Sequence, residues 1–141
     1  LFTMSLLKVP IISIVIGEGA SGGALAIGLA DTIICLEYTW YSVISPEGCA
    51  SILFHDTSKS PAAADSMKVS SVDLLEMGIA DEIIHEPLGG AHHNPDFVFE
   101  SVKNKILEKI LIFNEINSND LIDNRLKKYD NIGVYSKDKK I

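Results

Sequence analysis

Between positions 17 and 23 the chain reads Gly17-Glu18-Gly19-Ala20-Ser21-Gly22-Gly23, four glycines in seven residues. One or two glycines commonly do no more than let a helix pack closely on a strand. Four of them, set between an apolar run and a small-residue segment, point instead to a backbone built to approach a ligand. Two ligand chemistries fit. Gly17-Glu18-Gly19-Ala20-Ser21-Gly22 matches the GxGxxG of dinucleotide sites, and Glu37 stands near the end of the next apolar run. Glu37 comes early against a spacing of about 20 residues, and the doubled Gly22-Gly23 has no role in that fingerprint. The other chemistry is an oxyanion hole, in which backbone N–H groups at a helix N-terminus, free of intrahelical partners and aided by the helix dipole, face a developing negative oxygen. Glycine lets that oxygen reach the amides. Both readings stay open on the glycine segment alone, whereas a phosphate-binding P-loop fails because Gly23-Ala24 stands where its Lys and Ser/Thr belong.

The remaining polar residues assemble no second constellation. Ser21 has no GxSxG around it and no His or Asp spaced into a triad, so its simplest role is a local helix cap. Glu18 reads as an exposed turn carboxylate, and Pro46-Glu47-Gly48 as architecture. His55, His85, His92 and His93 lack HExxH or cysteine-linked spacing, so no metal is expected in the chain. His92, in a glycine loop, is the best functional candidate of the four, beside a loop-ordering hydrogen bond. Cys35 and Cys49 lie outside any CxxC and suggest a reducing compartment without disulfides. Tyr38, Trp40 and Tyr41 read as core or subunit-interface aromatics.

The elements that must position the glycines follow from periodicity. Residues 11–16, β-branched and nearly continuous in apolarity, predict a strand buried on both faces. The glycine turn leads to a buried helix over 24–30, opening on Gly22-Gly23, and 32–36 form a second strand, so the unit is strand, glycine turn, helix, strand. Ser45-Pro46 starts a short helix through Leu53, Ser60-Pro61 another over 62–67, and Ser70 with Asp73 is a weak capping box for 72–77. Gly78 closes that helix. Residues 79–84 are a strand candidate and 86–90 a loop. Asn94-Pro95 starts the clearest helix, 95–113, with Phe99, Val102, Ile106, Ile110 and Phe113 at helical spacing. A last helix is expected over 120–129. One domain portion, 1–130, and a polar, disordered tail, 131–141, complete the organisation.

Bulk properties narrow the classes. The chain has 141 residues, 47% hydrophobic and 22% charged, with mean hydropathy +0.22, a globular composition. Lys8, Pro10 and Asp31 break its apolar runs well short of the roughly 18 residues of a membrane span. A net charge of −7 excludes a nucleic-acid backbone or an anionic membrane as a whole-surface partner. Beginning Leu1-Phe2-Thr3-Met4, without an initiator, the chain reads as cut from a longer one.

Four stretches carry a family resemblance: 7–10 (LKVP), 17–28 (GEGASGGALAIG), 41–53 (YSVISPEGCASIL) and 86–92 (EPLGGAH). Together they resemble the carboxyltransferase alpha subunit of bacterial and plastid acetyl-CoA carboxylase, from Leu6 to about Ile110. Ala20 stands where that family has glycine and His93 where it has a basic residue. The resemblance implies an α/β crotonase fold, here the incomplete C-terminal part, with an active site shared with a separate beta subunit that binds acetyl-CoA and carries a zinc ribbon. It implies that the amides of Gly22 and Gly23 form the oxyanion hole, and that Gly19, Ser21, Gly22 and Gly23 contact carboxybiotin. Carboxyl transfer to acetyl-CoA would then give malonyl-CoA for fatty-acid synthesis. The implied partners are the beta subunit in an α2β2 assembly, the biotin carboxyl carrier protein and biotin carboxylase; the implied compartment is the cytoplasm, or the plastid stroma.

One position favours carboxyl transfer over hydration. Crotonase-fold hydratases place a general acid/base Glu just after the oxyanion glycines, where this chain has Ala24-Leu25-Ala26. The rival readings are a nicotinamide-dependent oxidoreductase, a CoA hydratase or isomerase, and a non-catalytic scaffold. The chain by itself is expected to be inactive.

Overall fold

The computed structural model describes residues 1–133. Helix α1 (Phe2–Ser5) precedes strands β1 (Ile12–Val15) and β2 (Glu18–Ala20), and helix α2 (Ser21–Ile27) follows directly. Strands β3 (Thr32–Leu36) and β4 (Trp40–Ser42) lead to helices α3 (Pro46–Phe54), α4 (Ser60–Met67) and α5 (Ser71–Glu76), then to β5 (Glu82–Ile84), α6 (Pro95–Asn114) and α7 (Ser118–Asp130). The strands make two parallel sheets, ordered β1-β3-β5 and β2-β4. Because β1 runs on into β2 and β3 into β4, both sheets pair the same two segments of chain. The glycine segment forms β2 of the smaller sheet and the first turn of α2.

β3 is the strand buried along its whole length. Its alternate residues enter two cores: Ile33 and Cys35 pack with Val15, Ala30, Leu74 and Ala80, while Ile34 and Leu36 pack with Ile84 and Val98. A strand covered on both faces is continuously apolar, as Thr32-Ile33-Ile34-Cys35-Leu36 is. The same burial was expected of 11–16. Instead only Val15 is buried in β1, because among the described residues that strand pairs along one edge and is incompletely covered.

Local capping signals translate directly. The Ser45 side chain accepts from the Gly48 N–H at 3.2 Å, with Pro46 opening α3. Ser70 and Asp73 form a reciprocal capping box at the start of α5, and Gly78, at φ +69°, follows its end. Asn94 caps α6 through the Phe97 N–H. Elsewhere the boundaries shift. Lys59 rather than Ser60 is the N-cap of α4, preceded by a 3₁₀ turn capped by Asp56. Strand pairing in the expected 79–84 begins only at Glu82, because the Ile79 and Ala80 N–H groups are drawn to the Leu74 carbonyl. In α6 the buried residue is Val98; of the expected stripe, Val102, Ile106 and Phe113 are half-buried while Phe99 (67%) and Ile110 are exposed, so helical spacing identified the helix and most of its packed face.

Helix α7 locks the layers together. Its fully buried Arg125 pairs with Asp31 and also donates to the carbonyls of Met4, Ser5, Leu7 and Val9. One turn on, Lys128 meets Asp81, and the Tyr129 hydroxyl donates to carbonyls at Gly28 and Ala30 and accepts from the Ala30 N–H at 2.6 Å. Positions 131–133 close this helix; the rest of the expected tail, 134–141, lies outside the described residues.

Candidate functional site

The glycine segment does not fold as a glycine turn. Glu18-Gly19-Ala20 is a strand, paired in parallel with Trp40-Tyr41-Ser42, and none of Gly17, Gly19, Gly22 or Gly23 adopts a positive φ. The reversal from β2 into α2 falls instead on Ser21, at φ +58°, a left-handed conformation that costs a non-glycine residue about 1–3 kcal/mol. The buried helix expected over 24–30 instead spans Ser21–Ile27 with only Ala24 buried, and Gly22 and Gly23 sit inside its first turn. Ser21 is not the cap. Ala20 holds that position and no side chain caps the helix, so the first-turn N–H groups have neither an intrahelical acceptor nor a capping oxygen.

That uncapped turn borders an open, apolar cavity of about 650 Å³. Ser21, Gly22, Ala24 and Leu25 of α2 form one side. Tyr41 and Ser42 of β4, with Val43 just after it, form a second side, and the stretch from Met67 to Val69, with Leu74, Met77 and Ile79, the far side. A methyl group built on Gly22 or Gly23 meets no neighbouring atom within 4 Å, so packing does not demand glycine at either position. Ala24 and Leu25 give this wall no ionisable group. Lys68 is the one charged lining residue, in a left-handed conformation at φ +52° between α4 and α5.

Of the sequence candidates, Ser21 and Gly22 line the cavity; Gly23 follows in the same turn without lining it. Gly19 is buried beneath the Tyr41 ring, 3.0 Å from where its Cβ would stand, so its smallness answers packing. Glu37, the acid that the dinucleotide reading needed, is engaged elsewhere: it accepts from the Glu86 N–H at 3.0 Å and lies 3.3 Å from His85 Nδ1. Glu86 in turn accepts from the Tyr38 and Ala91 N–H groups at 2.7 and 2.8 Å, which ties the 86–92 loop to the end of β3. His92 and His93 are exposed, with ring centroids 4.3 Å apart, and the rings stand over Gly90 and Gly89. Cys35 is buried in β3, where desolvation pushes its thiol above the ordinary range; it and Cys49 are both free. Among the described residues no cluster of three or more His, Cys, Asp or Glu could hold a metal ion. Nor is any described helix long and apolar enough to cross a membrane.

Sequence reasoning missed the far wall, because residues 67–79 reach the glycine segment only through the tertiary fold. It also missed the part of Tyr41. A tyrosine paired in register with a strand glycine is a usable signal, but only once the β2–β4 pairing is known.

Two parallel sheets flanked by helices, with the uncapped first turn of α2 opening on an apolar cavity, make an α/β fold of the crotonase type. Over residues 1–133 the chain matches the family model described as acetyl co-enzyme A carboxylase carboxyltransferase-like, and it belongs to that family. It is 46% identical over 138 residues to the acetyl-coenzyme A carboxylase carboxyl transferase subunit alpha of Chlorobium phaeobacteroides, covering 98% of this chain and 41% of that protein. The subunit of the same description from Chlamydia caviae is 48% identical over 135 residues, covering 96% and 42%. The chain thus spans about two fifths of the length of the curated relatives it matches. Among solved structures, transcarboxylase 12S with hydrolysed methylmalonyl-coenzyme A bound shares the fold at TM-score 0.56 and 17% identity, over 99% of this chain and 22% of that one. A Pseudomonas malonate decarboxylase hetero-tetramer does so at 0.52 and 17%, over 72% and 43%.

Proposed function

We propose that this chain, as part of its full-length subunit, supplies the biotin-facing half of a carboxyltransferase that moves a carboxyl group from carboxybiotin to acetyl-CoA, giving malonyl-CoA. The observation that carries the reading is the uncapped first turn of α2, with Gly22 bordering a clear apolar cavity, in a chain of the carboxyltransferase family.

The residues present fit a bound ureido group. Carboxybiotin, brought by a carrier protein, supplies the carboxyl group to be transferred. The Gly22 and Gly23 N–H groups donate to the ureido oxygen, where negative charge grows as the carboxyl group leaves, and the positive end of α2 adds to their effect. Ser21 holds the turn that aims them and offers a hydroxyl beside the ligand. Ala24, Leu25 and Val43 give the ligand an apolar lining beside the amides. The absence of a carboxylate along Ala24-Leu25-Ala26 suits carboxyl transfer, in which the departing group takes the proton, and leaves a hydratase without its shuttle.

Acetyl-CoA would be held by a beta subunit across the interface of an α2β2 assembly, with the biotin carboxyl carrier protein and biotin carboxylase completing the cycle in the cytoplasm or a plastid stroma. The test is reconstitution. The full-length subunit and its beta partner, given malonyl-CoA and biocytin, should form acetyl-CoA and carboxybiocytin; a pair that assembles but forms neither contradicts the proposal and leaves a scaffold.

A further inference from the structure

Tyr41 touches α2 and its strand at three places. Its ring covers Gly19, the residue opposite it in the β2–β4 pairing, 3.0 Å from the point a Cβ would occupy. Its hydroxyl donates to the Ala24 carbonyl, which already accepts the Gly28 N–H at 2.8 Å. The same hydroxyl oxygen occupies the space that a Cβ on Gly28 would need. Tyr41 itself is held from behind, its N–H donating to the Val69 carbonyl at 3.1 Å, and its side chain packs on the core of Val15, Ile33 and Leu74. Burial raises the phenol above its ordinary value, which keeps it a donor at neutral pH.

From this interlock we infer that Tyr41 is the positioning residue of the site, a strut from the core to the middle of α2 that sets where the helix's first turn stands in the cavity. Gly19 and Gly28 are then glycines because Tyr41 occupies their side-chain space, whereas Gly17, Gly22 and Gly23 have open space at that point, and of these three Gly22 lines the cavity. The inference rests on the proposed role of the α2 amides and names what aligns them. Sharing the Ala24 carbonyl matters mechanically. Without the phenol that oxygen keeps one partner, so the helix persists while its tilt against β4 loosens.

The test uses the full-length subunit assembled with its partner. Tyr41→Phe keeps the ring over Gly19 and deletes the hydroxyl. It should lower kcat by roughly three- to tenfold, the worth of one neutral hydrogen bond, with KM for malonyl-CoA within about twofold. Hydrogen exchange should quicken over residues 21–28 and not in β3. Gly28→Ala should lower the melting temperature sharply, and Tyr41→Phe in the same chain should restore much of it, because the obstructing oxygen is gone. Three results would overturn the inference: a wild-type kcat in Tyr41→Phe, exchange quickened throughout β3 as well, or no rescue of Gly28→Ala. Gly22→Pro, made in a Ser21→Gly parent because Ser21 is left-handed, tells the strut from the amides. If that change slows turnover while Tyr41→Phe does not, the strut alone is wrong; if neither does, the amide reading falls, whatever the Gly28 rescue shows.

Discussion

Arg125 and Asp31, 94 residues apart, meet as an enclosed bidentate pair: Nε to Oδ1 at 2.9 Å and Nη2 to Oδ2 at 2.8 Å, with side-chain exposures of 0% and 4%. Asp31 Oδ2 also accepts the Ile11 N–H at 2.7 Å, and the guanidinium's other contacts are carbonyls of residues 4–9. A buried charge is tolerable only with such complete pairing. Asp31→Asn should therefore destabilise the subunit by about 3–5 kcal/mol, since it strands the guanidinium. Arg125→Lys should also be costly, since one ammonium cannot reach all these acceptors. Denaturant titration of either variant checks this, and a midpoint unchanged from the parent would contradict it.

Tyr129 predicts an alkaline limit. Burial, followed by the Asp81 and Asp31 carboxylates, raises its phenol above the ordinary value, outweighing the Ala30 backbone hydrogen bond and Arg125. The folded state thus holds the proton more tightly than the unfolded one. The sign follows: this contribution is complete below the unfolded value of about 10 and fades as pH rises through the higher folded value. Melting temperature should drop more steeply as pH rises above about 10 in the parent than in Tyr129→Phe, which is less stable at neutral pH by about 1 kcal/mol for its lost hydrogen bonds. Parallel curves would rule the assignment out.

Ser21 carries the strain at the β2–α2 junction. Ser21→Gly should hold or raise stability, by up to about 1 kcal/mol, because glycine occupies φ +58° without steric cost. Ser21→Val, β-branched, should lose more than about 1 kcal/mol. Equal melting temperatures for the two variants would show that the conformation at position 21 is not held in solution.

The 141-residue chain on its own should neither decarboxylate malonyl-CoA nor carboxylate biocytin, since the proposed site needs a CoA-binding partner and the rest of the subunit. Turnover by the purified chain without partners would contradict the shared-site reading.

What could be read from the sequence was local. Ser45-Pro46, Ser70 with Asp73, and Asn94-Pro95 announce their helices because a cap is written within four residues of the turn it serves. The continuous apolarity of 32–36 announces β3 for the same reason. β2 and β4 were invisible because three residues carry no period, and each exists only by pairing with the other. The turn expected of the glycines falls on Ser21, because the β2–β4 pairing holds residues 18–20 extended and α2 begins at once after them. Gly19 looked like a ligand contact and is a packing glycine under Tyr41, a distinction that needs the partner's side chain. Gly22 is different: no neighbouring atom stands where its side chain would be, and it lines the cavity, as the proposed role requires.

Gly22 therefore carries the central claim, and its N–H can be removed without filling occupied space. Proline is compatible with a first helical turn but pushes the residue before it toward extended values, against Ser21's left-handed conformation. The comparison is best made with Ser21→Gly as the parent. In the assembled full-length enzyme, adding Gly22→Pro to that parent should cut kcat by about 10²–10³, the effect of losing one oxyanion donor, while KM for malonyl-CoA changes little. Gly22→Ala, which keeps the N–H and meets no protein atom within 4 Å, should lose far less. A proline variant that assembles, keeps the parent's circular dichroism and turns over at the parent's kcat would contradict the account.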